Sequence, residues 1–347
     1  MCAKPRGVFQ TGRRVRMAVS AILLVACVGL PAFQVPAQEI RFFRIGTGDI
    51  SGTFFAVGSA IASAISNPPG SRSCERGGSC GVPNLVAVAQ STEGSIENVR
   101  ALAAGQLELA LVQADVAYWA FHGTGPFAEA GSRGNLRAVA NLFPAAVHIV
   151  VRQGRGIFRV SDLQGRQVSL GPDGSGTPAN ALAILAAYGL GEEDITAVYL
   201  ESGQAADSLA VDEIDAFFVV GGIPVEAVDD LARRLPTQLI PVDGSPRDEI
   251  TSFYPFLAEA EIKSGTYERV AYAPTVVVGT QMLVSADAEE DLIYAVTQAL
   301  WHERTRMLLE SGHPQARRIL LEKALERVAI PLHPGAERYY REQGLIH

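Results

Sequence analysis

Apolar residues along this chain fall into two alternating rhythms. Short, dense runs such as RFFRIG, LVAVAQ, LELALVQ and IDAFFVVGG read as buried strands. Between them lie segments with apolar residues three and four apart, such as FFAVGSAIASAIS, SIENVRALAAG, TPANALAILAAYGL and PVEAVDDLARRL, which read as helices. Regular alternation of the two predicts an α/β fold with largely parallel sheets. Two apolar stretches break the rhythm. LRAVANLFPAAVHIVVR (136–152) is too long for one strand and suits two, the second crossing between lobes. PTVVVGTQMLVSAD (274–287) suits a strand crossing back. The C-terminal part reads as helical: AEEDLIYAVTQALWHERTRMLLESG, a shorter helix, then YYREQG. The expected organisation is one lobe from 39–145 with 281–347, and a second lobe from 146–280. Two lobes joined by crossing strands close on a ligand by hinge motion.

Three segments repeat one device, a strand running into a Gly/Ser/Thr turn and a helix start: RIGTGDISGTFFAVG (44–58), LVAVAQSTEGSIENV (85–99) and VSLGPDGSGTPANAL (168–182). A helix N-terminus carries unpaired N–H groups and partial positive charge, so it suits an anion. The candidate donors are Thr47, Gly48, Ser51 and Thr53 in the first turn, with Phe54 beside them. Ser91 and Ser95 follow in the second, and Ser175, Gly176 and Thr177 in the third. Ser95 with Asn98 resembles a capping box. Glu93 suits an ammonium group. Gln113 and Asp115 end a buried strand, where open α/β sheets bind ligands, although Asp115 also suits a helix cap. His148 reads as a core histidine, and Tyr118, Trp119 and Phe121 as core aromatics. GTGDISG lacks the dinucleotide glycine spacing, and GPDGSGT has no lysine before its threonine, so neither is a nucleotide loop.

The N-terminus changes where such a ligand is met. Lys4, Arg6, Arg13, Arg14 and Arg16 precede the apolar run AVSAILLVACVGL, and Val35-Pro36-Ala37 suits a cleavage site. Residues 1–37 are therefore expected to be a secretory signal peptide, which places the protein in the periplasm. Lipidation at Cys27 within LVAC is the tethered alternative. Loss of those five cations and no anion takes the formal charge from −8 to −13, which disfavours nucleic acid and anionic membrane as partners. Of four Cys, Cys74 and Cys80 remain, in a Pro/Gly/Ser-rich loop that reads as a small disulfide-closed loop. No metal or cofactor is expected. The six His show no ligand spacing near that pair.

GTGDISGTFFAVG, AQSTEGSIENV, VQADVAYWAFHG, SLGPDGSGTPANA, the GGIP turn at 221–224 and IPLHPGAERYYRE together resemble the TAXI family of TRAP transporter solute receptors. The resemblance covers the mature chain. It implies a type II-like, two-lobe periplasmic binding protein that delivers a small organic acid or amino acid to a TRAP-type membrane permease. It also brings Gly222 and Pro224 of the GGIP turn into the candidate site. The chain departs from the family where Phe54 and Phe55 stand in place of a common Tyr, which removes one hydroxyl contact. No nucleophile set is legible, and no G-x-S-x-G elbow is present. The expected function is thus capture of a glutamate-like amino acid or dicarboxylate by a non-enzymatic monomer. A sensor that feeds a receptor kinase and a secreted hydrolase are the alternatives.

Overall fold

A computed structural model describes residues 39–311 and 313–347. The expected signal peptide and Cys27 lie outside the described residues. The first α/β block contains β1 (Arg41–Gly46), α1 (Thr53–Ile65), β2 (Ser66–Asn67), β3 (Val82–Pro83), β4 (Leu85–Gln90), α2 (Ser95–Ala103), β5 (Leu109–Gln113) and α3 (Ala114–His122). β6 (Leu136–Arg152) leads to a second block of β7 (Gln167–Ser169), α4 (Thr177–Ala187), β8 (Thr196–Val198), α5 (Ser202–Ala210), β9 (Ala216–Gly221) and α6 (Glu226–Arg234). β10 (Thr237–Leu239), α7 (Gly244–Phe253), β11 (Leu257–Ile262) and β12 (Ala273–Ser285) follow. The chain ends with α8 (Glu290–Leu300), α9 (Glu303–Ser311) and α10 (Pro334–Glu342).

The main sheet runs β4-β1-β5-β12-β6-β9-β7-β8, with β10 beside β6 and β11 beside β12. Each outer block is parallel: β4, β1 and β5 in the first, β8, β7 and β9 in the second. β12 and β6 lie between them, antiparallel to each other and to the blocks they meet. The α/β class with parallel sheets, flanking helices and two long crossing strands is therefore present. In the first block α1 seals the sheet by burying Val57, Ile61 and Ile65 against Phe43, Ile45 and Leu109. Each such side chain contributes roughly 1.5–3 kcal/mol by burial. α8 and α9 pack on α1, so the chain's last third returns to the first block.

Several expectations are corrected. The 136–152 stretch is one strand, because it changes partners along its length: Leu136–Ala146 pairs with β12, and Ala146–Val151 with β9. Pro144 is tolerated opposite Gly279, and its carbonyl accepts from Gln315 Nε2 at 2.8 Å. The long C-terminal helix breaks at Trp301-His302 into α8 and α9. α7 and β11 carried no signal strong enough to be read. β11 buries only Leu257 and Ile262 at its ends and covers the edge of β12.

The Cys74–Cys80 disulfide is present. His302 Nε2 lies 3.9 Å from Cys74 Sγ, a spatial neighbour that sequence spacing did not reveal. With both sulfurs in the disulfide, no thiolate is available there for a metal.

Candidate binding site

The three turns and the end of β9 converge on one cavity of about 50 Å³ between the parallel blocks. Gly48, Thr53, Phe54, Glu93, Ser95 and Gln113 line it from the first block, and Ser175, Gly176 and Thr177 from the second. The floor is apolar, made by Phe218, Val219, Val220 and Val225. Phe54 is held edge-on to Phe143, with ring centroids 6.0 Å apart. Thr47, Ser51, Ser91, Asn98, Asp115, Gly222 and Pro224 do not line it.

Those seven do other work nearby. Thr47 Oγ1 donates to Gln90 O at 2.7 Å, and Ser91 Oγ to Gly48 O at 3.0 Å, which ties the first turn to the second. Asn98 does not cap α2. Its Nδ2 donates to Thr47 O at 2.7 Å and Leu111 O at 2.8 Å, and its Oδ1 accepts from Thr92 Oγ1. The N-cap position is Gly94, and Ser95 Oγ instead accepts from Gln113 N at 3.0 Å. The capping box expected there is thus replaced by a buried staple that fixes the strand ends. Ser51 packs beside Gly203. Gly222 O accepts from Thr53 Oγ1 at 2.7 Å, and Pro224 O from His313 Nε2 at 3.1 Å.

Asp49 and Ser202 line the cavity and were missed. Ser202 Oγ donates to Asp49 Oδ1 at 2.8 Å, and burial pushes the Asp49 carboxyl above its ordinary value. Asp49 stands inside GTGDISG, where one acidic residue among glycines and hydroxyls carries no ligand signal of its own. Ser202 was not, because only the fold brings α5 to the first turn.

The blocks are held together by hydrogen bonds around this cavity. Gly174 is the hub. Its N–H donates to Glu93 Oε2 at 2.9 Å, and its carbonyl accepts from Ile96 N and Glu97 N, both at 2.9 Å. The free N–H groups of the α2 start, expected to face an anion, therefore face a carbonyl of the other block. Asn180 Nδ2 reaches Gln113 Oε1 at 3.1 Å, Asp115 Oδ2 at 2.9 Å and Gly176 O at 2.9 Å. Asp115 is fully buried, and burial raises its carboxyl to about 6 against the opposing pull of Val116 N–H and Asn180. Close approach requires Gly at the seam: a Cβ on Gly174 would meet Glu93 Oε2 at 2.3 Å, and one on Gly176 would meet Gln113 Oε1 at 2.3 Å.

Below the floor, His148 is satisfied on both nitrogens. Nδ1 donates to Ala146 O at 2.9 Å, and Nε2 accepts from Tyr267 O–H at 2.8 Å. Tyr267 in turn accepts from Val225 N. Burial lowers the imidazole to about 4, so it stays neutral, a core histidine as expected.

No helix among the described residues is long and apolar enough to cross a membrane. The fold resembles that of a protein from Bordetella bronchiseptica RB50, at 17% identity over 86% of this chain and 82% of that one, with a TM-score of 0.50. More distant similarity extends to the alkanesulfonate-binding protein SsuA of Xanthomonas axonopodis pv. citri bound to MOPS, at 17% identity over 84% of both chains and TM-score 0.45. It also extends to a TctC solute binding protein from Polaromonas, at 14% identity over 80% of this chain and 89% of that one, TM-score 0.44. A family model matches residues 45–344, nearly the whole of the two blocks and their joining strands, and the chain belongs to the NMT1-like family.

Proposed function

We propose that this protein is an extracytoplasmic solute receptor that captures an amino acid and delivers it to a TRAP-type permease. The observation that carries the ligand class is the charge of the cavity lining. Asp49 and Glu93 contribute carboxylates, and no Arg, Lys or His lines it among the described residues. A dicarboxylate would bring two more negative charges to that lining with no cation to offset them. An amino acid instead places its ammonium at Asp49 or Glu93, and its carboxylate at the start of α4, beside Ser175, Gly176 and Thr177.

A cavity of about 50 Å³ holds a few waters, whereas ligand pockets run to roughly 300–1,000 Å³. Entry therefore requires the lobes, 39–145 with 281–347 and 146–280, to part at β6 and β12 and release the Gly174 contacts. The TRAP partner rests on the motif resemblance alone.

Calorimetry with glutamate and with glutarate, its analogue without the amino group, tests the reading. Glutamate is expected to bind at least tenfold more tightly. Ser175→Ala and Thr177→Ala are each expected to cost about 1.5–3 kcal/mol, or about 10- to 100-fold in Kd. Glutarate binding as tightly as glutamate would overturn the ligand class. Undiminished affinity in the Ser175→Ala/Thr177→Ala double variant would overturn the site.

A further inference from the structure

A second cavity, of about 240 Å³, lies on the two strands that join the blocks and shares no lining residue with the first. Its floor is apolar: Leu142, Phe143 and Pro144 of β6, Val278 of β12, and Phe256 and Leu320. Its rim is cationic. Arg317, Arg318, Lys323 and Arg327, all from the segment between α9 and α10, face one acidic residue, Glu326. None of these four cations forms an ion pair among the described residues, although most other arginines of the two blocks do. On a chain with formal charge −8, carboxylates are the commoner charged groups, so four cations gathered around a single carboxylate are out of pattern. Mutual repulsion makes the cluster unfavourable by itself, and an anion at the rim reverses that sign. The wall also holds Asn141, whose buried Oδ1 has no hydrogen-bond partner.

We infer that this cavity is a second binding site, for a small carboxylate with an apolar body. Its volume is about eight waters' worth at about 30 Å³ each, which suits a single ring or a short chain. Charge alone would leave the apolar floor uncovered, and an apolar body alone would leave the cations unpaired. The site is independent of the ligand proposed for the first cavity.

The probe is 4-hydroxybenzoate, titrated by calorimetry into the full exported chain. Acetate supplies the charge without the body, and phenol the body without the charge. Saturable binding of 4-hydroxybenzoate is expected, at least tenfold tighter than either control. Arg318→Glu/Lys323→Glu alters only exposed side chains and should weaken it tenfold or more at unchanged Tm. If charge reversal lowers Tm, Arg318→Gln/Lys323→Gln takes its place, with at least threefold weakening expected. No saturable binding, or acetate or phenol binding as tightly, would overturn the inference. So would full affinity in the variants, which would place the probe in the first cavity.

Discussion

Replacing Asn180 by Leu keeps the volume of the side chain and removes the donor that joins α4 to Gln113 and Asp115. Asn180 and Asp115 are both buried. The Nδ2 group has two protons for three acceptors, so two hydrogen bonds are lost at a time. When Asp115 is ionised, one of these goes to a charge, about 1.5–3 kcal/mol, and the other to a neutral carbonyl, about 0.5–1.5 kcal/mol. The expected loss is about 2–4.5 kcal/mol at pH 8. The pH dependence separates this from a packing defect. Burial raises the Asp115 carboxyl from 3.8 to about 6 in the folded protein. Its contribution to stability is therefore full below 3.8 and is lost as pH rises through 6, about 3 kcal/mol at 1.36 kcal/mol per unit. Asn180→Leu removes a bond to the charged form and raises that folded value further. The variant should then lose about 1–2 kcal/mol less at pH 4.5, where the folded carboxyl is neutral, than at pH 8. Urea unfolding followed by the fluorescence of Trp119 and Trp301 at the two pH values measures both losses. Equal losses at pH 4.5 and pH 8, or none at pH 8, would refute the account of a donor holding a buried carboxylate.

Gly176→Ala places a Cβ 2.3 Å from Gln113 Oε1 and 2.9 Å from Val116 Cγ2, so the blocks should dock less closely. Amino-acid affinity is expected to fall about tenfold, within the 1–3 kcal/mol typical of overpacking, and small-angle scattering should show a larger ligand-bound radius; parent-like affinity and radius would count against the seam. Cys74→Ser/Cys80→Ser opens a loop of sequence separation 6. It should lower stability by about 2 kcal/mol through loop entropy and leave ligand affinity unchanged, and a shift in affinity would tie the loop to binding. N-terminal sequencing of the exported protein should begin near Gln38; an intact Met1 would exclude the signal peptide, and a lipid on Cys27 would replace the cleaved form with the tethered one.

The parallel blocks were legible in the sequence because buried strands and amphipathic helices carry different periods, and β1 and β4 begin and end where their patterns do. Gly, Ser and Thr between a strand and a helix mark a helix start in the sequence, and Thr53, Ser175 and Thr177 at two such starts lie on the cavity lining. What escaped was everything decided by contact across distant segments. β6 is one strand because two different partners share its length, which no local pattern encodes. Asn98 looked like a cap and is a staple, because its acceptors Thr47 O and Leu111 O come from neighbouring strands. Ser202 meets Asp49, and Asn180 meets Asp115, only after the blocks are brought together by β6 and β12. Hydrophobic periodicity is a property of neighbouring residues, so the sequence alone determined the elements and their class. Polar pairing, burial and the charge of a cavity depend on which elements face one another, and those the tertiary structure decided.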